Sequence, residues 1–113
     1  MSKGDSLGEF EHLVLLAVLR LGEGAYGMTV RREIASRTGR DAAIGAVYAT
    51  LERLEAKQFV QSQEESSSAE TGARLRRMYR LTAAGQRAIE KTQHDVARMM
   101  DGMRMGRLGF KAR

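Results

Sequence analysis

The residues of this 113-residue chain offer little covalent chemistry. There is no cysteine, so disulfides and thiolate metal sites are excluded. His12 and His94 are isolated, and neither stands at metal-ligand spacing with another histidine or a carboxylate. No glycine-rich phosphate loop follows a strand, and no carboxylate pair is framed by a pocket signal. These absences point away from an enzyme and imply no cofactor and no metal. What the chain does offer is charge for a polyanion. The formal net charge is +5, unevenly spread: residues 1–69 hold 8 Lys/Arg against 10 Asp/Glu, and residues 70–113 hold 11 against 4. Cations gathered in one part of a chain favour a polyanionic partner over a purely solvated surface.

One stretch looks built for close approach to a large partner. In residues 44–57, Ile44, Val47, Leu51 and Leu54 recur at helical spacing and form one apolar stripe. The other side carries Gly45, Ala46, Ala49, Thr50 and Arg53. A solvated helix face would hold Glu and Lys. A face of small side chains lets something come near, either the major groove of DNA, which admits an α-helix, or a neighbouring protein element.

The elements that must position this stretch follow from periodicity and turn chemistry. Ser6 and Glu9 have capping-box spacing ahead of a helix running to Leu21. Phe10, Leu13, Val14, Ala17, Val18 and Leu21 form its main apolar face. Leu15, Leu16 and Leu19 widen that face, and in so small a domain a second buried side suggests a subunit contact. A second helix is expected over residues 28–37, stopped by Thr38-Gly39, with Asp41 as the best available cap for the next. Two helices joined by a short glycine-containing turn match the helix-turn-helix outline.

A strand is expected over residues 59–63, a polar loop over 64–73 and a return strand over 74–81. Alternation puts Leu75, Tyr79 and Leu81 on one side of the return strand, and Arg74, Arg76, Met78 and Arg80 on the other. Thr82 caps a last helix, in which Ile89, Val96, Met99, Met100 and Met103 make a heptad-like seam. The methionines have two readings, adaptable dimer packing or part of a ligand cavity. With no Trp in the chain and Phe10 the one aromatic of the first and last helices, packing is favoured and no effector is indicated.

The expected fold is therefore mainly α with a small β-hairpin, a winged helix-turn-helix plus a C-terminal dimerisation helix. Its divisions are residues 1–82 for the DNA-binding domain, 83–103 for the dimerisation helix and 104–113 for a disordered basic tail. There is no apolar run of bilayer-spanning length and no signal-peptide pattern, so a cytoplasmic protein without a membrane partner is expected.

Four blocks go beyond this outline: Leu-Gly-Glu-Phe-Glu-His-Leu-Val-Leu-Leu-Ala-Val-Leu (7–19), Ala-Tyr-Gly-Met (25–28), Gly-Ala-Val-Tyr-Ala-Thr-Leu-Glu-Arg-Leu-Glu-Ala-Lys (45–57) and Tyr-Arg-Leu-Thr-Ala-Ala-Gly (79–85). In this order and spacing the chain resembles the PadR family of bacterial transcriptional regulators, from residue 7 to about residue 100. The resemblance implies a homodimer that binds palindromic operators in double-stranded DNA, usually as a repressor. The third helix would be its recognition helix, the hairpin its wing, and the last and first helices its dimer contact. The family's recognition positions fall on Gly45, Ala46, Tyr48, Ala49, Thr50 and Arg53, with Arg74, Arg76 and Arg80 supplying the basic wing. Two residues depart from the pattern. Ala43 stands where the family often has a capping Ser, and Gln58 where it usually has Gly. The alternative function, from the same outline, is a winged-helix protein-interaction module without specific DNA binding.

Overall fold

The computed structural model describes residues 6–66 and 75–103. Arg74, most of the expected 64–73 loop and the basic tail from residue 104 lie outside the described residues. Four helices and a hairpin follow in order: α1 (Glu9–Leu21), a short 3-10 turn (Gly22–Gly24), α2 (Gly27–Thr38), α3 (Ile44–Ala56), β1 (Val60–Ser66), β2 (Leu75–Leu81) and α4 (Ala83–Met100).

The apolar stripes meet as their spacing predicts. Val14 and Val18 of α1, Val30 and Ile34 of α2, and Val47, Leu51 and Leu54 of α3 are buried in one core, closed by Phe59, Val60, Tyr79 and Ile89. Each fully buried leucine here contributes about 1.5–3 kcal/mol by leaving water. Leu15 and Ile89 also belong to this core, at 0% and 6% exposure, and are therefore not free for a subunit contact, contrary to expectation. Leu15 lies one residue from Val14 on a helix apolar nearly all round, and Ile89 lies on the first turns of α4, which pack on the body. Leu16 is half-buried against the core. Leu19, Val96, Met99, Met100 and Met103 remain exposed.

Two caps differ from the expected ones. Gly8, not Ser6, precedes α1, and its amide donates to Glu11 Oε1 at 2.9 Å. Glu9 instead pairs with Arg40 at 3.1 Å. Ala43, not Asp41, precedes α3 and offers no side-chain acceptor. Asp41 is drawn away by Arg31, whose Nη2 donates to it at 3.3 Å while Nε donates to the Ala42 carbonyl at 2.7 Å. Gly39 ends α2 in the left-handed region, as its position predicts.

The end of α3 is a Schellman turn. Phe59 N–H donates to the Leu54 carbonyl and Gln58 N–H to that of Glu55, both at 2.9 Å. Gln58 adopts φ +68° to make this turn, the conformation that favours glycine. The next element is tied to the same point: Thr82 N–H donates to the Phe59 carbonyl at 3.1 Å, and Thr82 Oγ1 donates to the Gln58 carbonyl at 2.7 Å. Thr82 also caps α4 by accepting from Gly85 N–H at 2.9 Å. A Cβ on Gly85 would run into the Phe59 carbonyl, so glycine is required there.

The hairpin is antiparallel, pairing Val60 with Leu81 through to Ser66 with Leu75. β1 runs three residues beyond its expected end because Glu64 and Glu65 lie opposite Arg77 and Arg76, so the two acidic residues are paired across the strands. β2 is also bonded on its other edge, where Tyr79 N–H donates to the Ala25 carbonyl at 2.8 Å and Tyr26 bridges Met78. Both Met78 and Tyr79 are consequently buried, on opposite faces of the strand.

Glu11 is a charged residue within this packing, at 8% exposure. It receives the Gly8 amide, Lys57 Nζ at 3.1 and 3.2 Å and Arg53 Nε at 3.3 Å. Burial alone pushes its carboxyl up; the Gly8 amide, Lys57 and Arg53 outweigh this and hold it below its ordinary value of 4.5. A carboxylate with a depressed folded value stabilises the fold above its unfolded value and loses that contribution as pH falls through the folded one. Glu11→Gln should therefore lower the urea midpoint relative to wild type at neutral pH, with the gap closing below about pH 4. A gap that stays constant from pH 7 to pH 3 would contradict the assignment. Separately, Gln58→Gly should raise unfolding free energy by about 1 kcal/mol by relieving the left-handed conformation. Denaturant unfolding checks it, and a loss of stability would show that Gln58 is held by contacts that outweigh its backbone cost.

Candidate nucleic-acid interface

The helix α3 is buried along Val47, Leu51 and Leu54, and this burial fixes what it shows to solvent. Gly45, Ala46, Tyr48, Ala49 and Arg53 are exposed, as expected. Thr50 is not: at 2% exposure it belongs to the interior, where its hydroxyl accepts from Arg53 Nη2 at 3.1 Å. Thr50 follows Val47 by three residues and precedes Leu54 by four, which places it on the edge of the buried stripe. Its assignment to the outward face is corrected accordingly. Glu52, not singled out in the sequence, is exposed seven residues after Gly45 and so on the same side. That spacing was the signal available to find it.

The outward face is small by choice rather than by internal need. A Cβ at Gly45 would meet no described atom within 4 Å. Gly27 is the opposite case. A Cβ there would strike the Tyr48 ring, which lies against the start of α2. Tyr48 is thus held by the first helix turn of α2 while 42% of it stays exposed. At the N-terminus of α3, Ala43 leaves the first-turn amides without a side-chain acceptor, a positive dipole end open to an anion.

The helix-turn-helix is braced from behind. Arg40, in the turn before α3, pairs with Glu9 and lies 4.8 Å over the Phe10 ring. Glu33 on α2 receives Arg37 at 2.6 Å and Arg20 at 3.1 Å, and these two hold its carboxyl below the ordinary range. Arg53 reaches back to Glu11 while its side chain is 56% exposed. His12 lies where α1 meets α4, its Nε2 3.1 Å from Gln93 Nε2, and burial lowers its pKa. Among the described residues no group of three His, Asp or Glu is placed to hold a metal.

On the wing, Arg76 and Arg77 make contacts that the sequence does not show. Arg76 lies 4.0 Å over the Tyr26 ring. The Tyr26 hydroxyl donates to Glu65 Oε1 at 2.7 Å, and this bond raises the phenol's pKa. Arg77 projects from the other face, the side of α3: its Nη1 donates to Ser62 Oγ at 3.0 Å, and Ser62 Oγ donates to Glu55 of α3 at 2.7 Å. Arg77 also pairs with Glu64 at 2.8 Å. Alternation then puts Arg76 and Arg80 on the face away from α3, with Arg80 beside Val18, Leu19 and Glu23 in an open cleft of about 310 Å3. Arg76 and Arg80 are exposed, on the strand face that alternation gives them; Met78, between them on that face, is buried.

No match is found among curated proteins. Several solved structures share the fold. A PadR family transcription regulator from Clostridium difficile superposes with a TM-score of 0.68 at 21% identity, over 83% of this chain and 96% of that one. A PadR family regulator from Eggerthella lenta gives 0.66 at 25% identity, over 83% and 81%. Bacillus subtilis PadR, solved in complex with operator DNA, gives 0.66 at 16% identity, over 93% of this chain and 52% of that one. The sequence profile of the transcriptional regulator PadR-like family matches residues 15–91, a span that takes in all of α2, α3 and the hairpin. The chain belongs to the PadR-like family of transcriptional regulators.

Proposed function

We propose that this regulator binds double-stranded DNA through the outward face of α3, as a homodimer on a two-fold operator, and acts as a repressor. The observation that carries this reading is Gly45. Glycine inside a helix costs about 0.5–1 kcal/mol relative to alanine, and nothing within the described chain requires it at this position. An outside surface that approaches the helix backbone gives it a reason. The operator complex of the Bacillus relative, matched over 93% of this chain, supports DNA as that surface.

The way the face would read DNA follows from its side chains. With Thr50 withdrawn, Gly45, Ala46 and Ala49 leave the first two turns without the Arg, Lys, Asn or Gln that make bidentate base contacts. Ala46 and Ala49 suit thymine methyl groups, and Glu52 suits a cytosine amino group one turn further on. Specificity then draws heavily on half-site spacing and DNA shape. The dimer reading rests on α4, where Val96, Met99 and Met100 are exposed, with Met103 just past the helix end and Leu19 of α1 exposed as well, at 40–79%. An apolar run this open suits a second copy of the chain. Nothing described favours an effector.

Two measurements test the reading. Gly45→Ala should leave unfolding stability equal or slightly higher and weaken binding to a random-sequence duplex at least several-fold, because the added methyl meets DNA rather than protein. An electrophoretic shift at low and moderate salt reads this. A wild-type protein that gives no salt-dependent shift would favour the protein-interaction alternative. Met99→Glu, at a residue 79% exposed in the single chain, should shift the sedimentation coefficient from dimer to monomer without loss of helicity. An unchanged dimer would place the interface elsewhere.

A further inference from the structure

On the reading that α3 faces DNA, we infer that Glu11 is a positioning residue for the phosphate contact: a buried carboxylate on α1 that presents the Arg53 guanidinium to the duplex backbone. A guanidinium carries five N–H groups in a rigid fork. Arg53 commits two of them: Nε donates to Glu11 Oε2 at 3.3 Å, and Nη2 donates to Thr50 Oγ1 at 3.1 Å. Three remain, on a side chain that is 56% exposed. One edge of the fork is anchored and the rest is available to a phosphate, whose oxygens accept from guanidinium in paired geometry.

The anchor itself is fixed. The Glu11 side chain is 10% exposed and is pinned by the Gly8 amide and by Lys57, which in turn donates to the Ser6 carbonyl at 3.1 Å. An ion pair between two solvated side chains would hold little; here one partner cannot move. Holding Arg53 in place removes the entropy that a free arginine loses on meeting a phosphate. The same geometry accounts for Thr50, whose hydroxyl is buried at 2% exposure with Arg53 as its partner.

A bare electrostatic role predicts the opposite sign, which makes the inference testable. Removing the Glu11 charge raises net charge by one and by itself tightens binding to any duplex. The experiment measures binding of the full chain to a random-sequence duplex across a salt series, for wild type, Glu11→Gln, Thr50→Val, Arg53→Ala and the double variants with Arg53→Ala. Folding of each variant is checked by circular dichroism at the same temperature. Glu11→Gln should bind about 5- to 10-fold more weakly despite its added positive charge, with a shallower salt slope. Thr50→Val, which leaves net charge unchanged, should weaken binding about 2- to 5-fold. Neither should weaken binding further once Arg53 is alanine, an outcome that a general loss of structure would not produce. Tighter binding by Glu11→Gln, or full additivity with Arg53→Ala, would overturn the inference. If Glu11→Gln does not fold, the Thr50→Val and Arg53→Ala cycle decides in its place. Wild type without a salt-dependent shift defeats the DNA reading itself; wild type that binds while Arg53→Ala matches it defeats only the positioning role.

Discussion

The structure depends on α3 being buried on one side and bare on the other. Val47, Leu51 and Leu54 are fully enclosed by α1, α2 and the base of the hairpin, so the helix cannot rotate without exposing them. A turn of 100° would carry Thr50 out and a leucine into water, at about 1.5–3 kcal/mol for each such side chain. That constraint fixes which residues stand outside, and those of the first two turns include the small Gly45, Ala46 and Ala49. On the proposed reading, the core acts on function by setting the rotational phase of one helix.

Everything adjacent to α3 is fastened to one of its ends. At the start, the Tyr48 ring lies on Gly27 of α2, and Arg31 holds the Asp41–Ala42 turn. At the finish, the left-handed Gln58 turns the chain into Phe59, and Thr82 closes on both of their carbonyls before capping α4. The helix α3 and the helix with the open methionines therefore share a single junction. In a dimer built through α4, the relative angle of the two reading helices would be set through Gln58, Thr82 and Gly85. On the proposed dimer, that junction would give half-site spacing a physical origin within the monomer.

Much of this was legible in the residues, and the misses have identifiable causes. Apolar periodicity located the helices: for α1, α2 and α3 the stripes coincide with the core they form, while most of the α4 stripe lies exposed outside it. The left-handed turn at Gln58 was legible only through the family resemblance, in which glycine usually stands at that position. Thr50 was misplaced because its type does not say which edge of a stripe it lies on; the Arg53 that bonds it is itself held by Glu11, 42 residues away in sequence. The burial of Met78 and the contact of Arg76 with Tyr26 were hidden for a similar reason. Alternation separates the two faces of β2, but the short Ala25–Tyr26 edge, which brings the Tyr26 ring under Arg76, has no pattern of its own. Leu15 and Ile89 were assigned to a subunit contact because a single chain's core and an interface use the same side chains.

The most direct test of the central claim is an amide chemical-shift titration of the full chain with a random-sequence duplex at low salt. The account predicts that the largest changes fall on residues 44–53, centred on Gly45, Ala46 and Ala49, with the core face of α3 following only weakly. Changes confined to α4 or to the Arg80 cleft, with Gly45 and Ala46 unmoved at saturation, would show that the bare face of α3 is not where DNA is met.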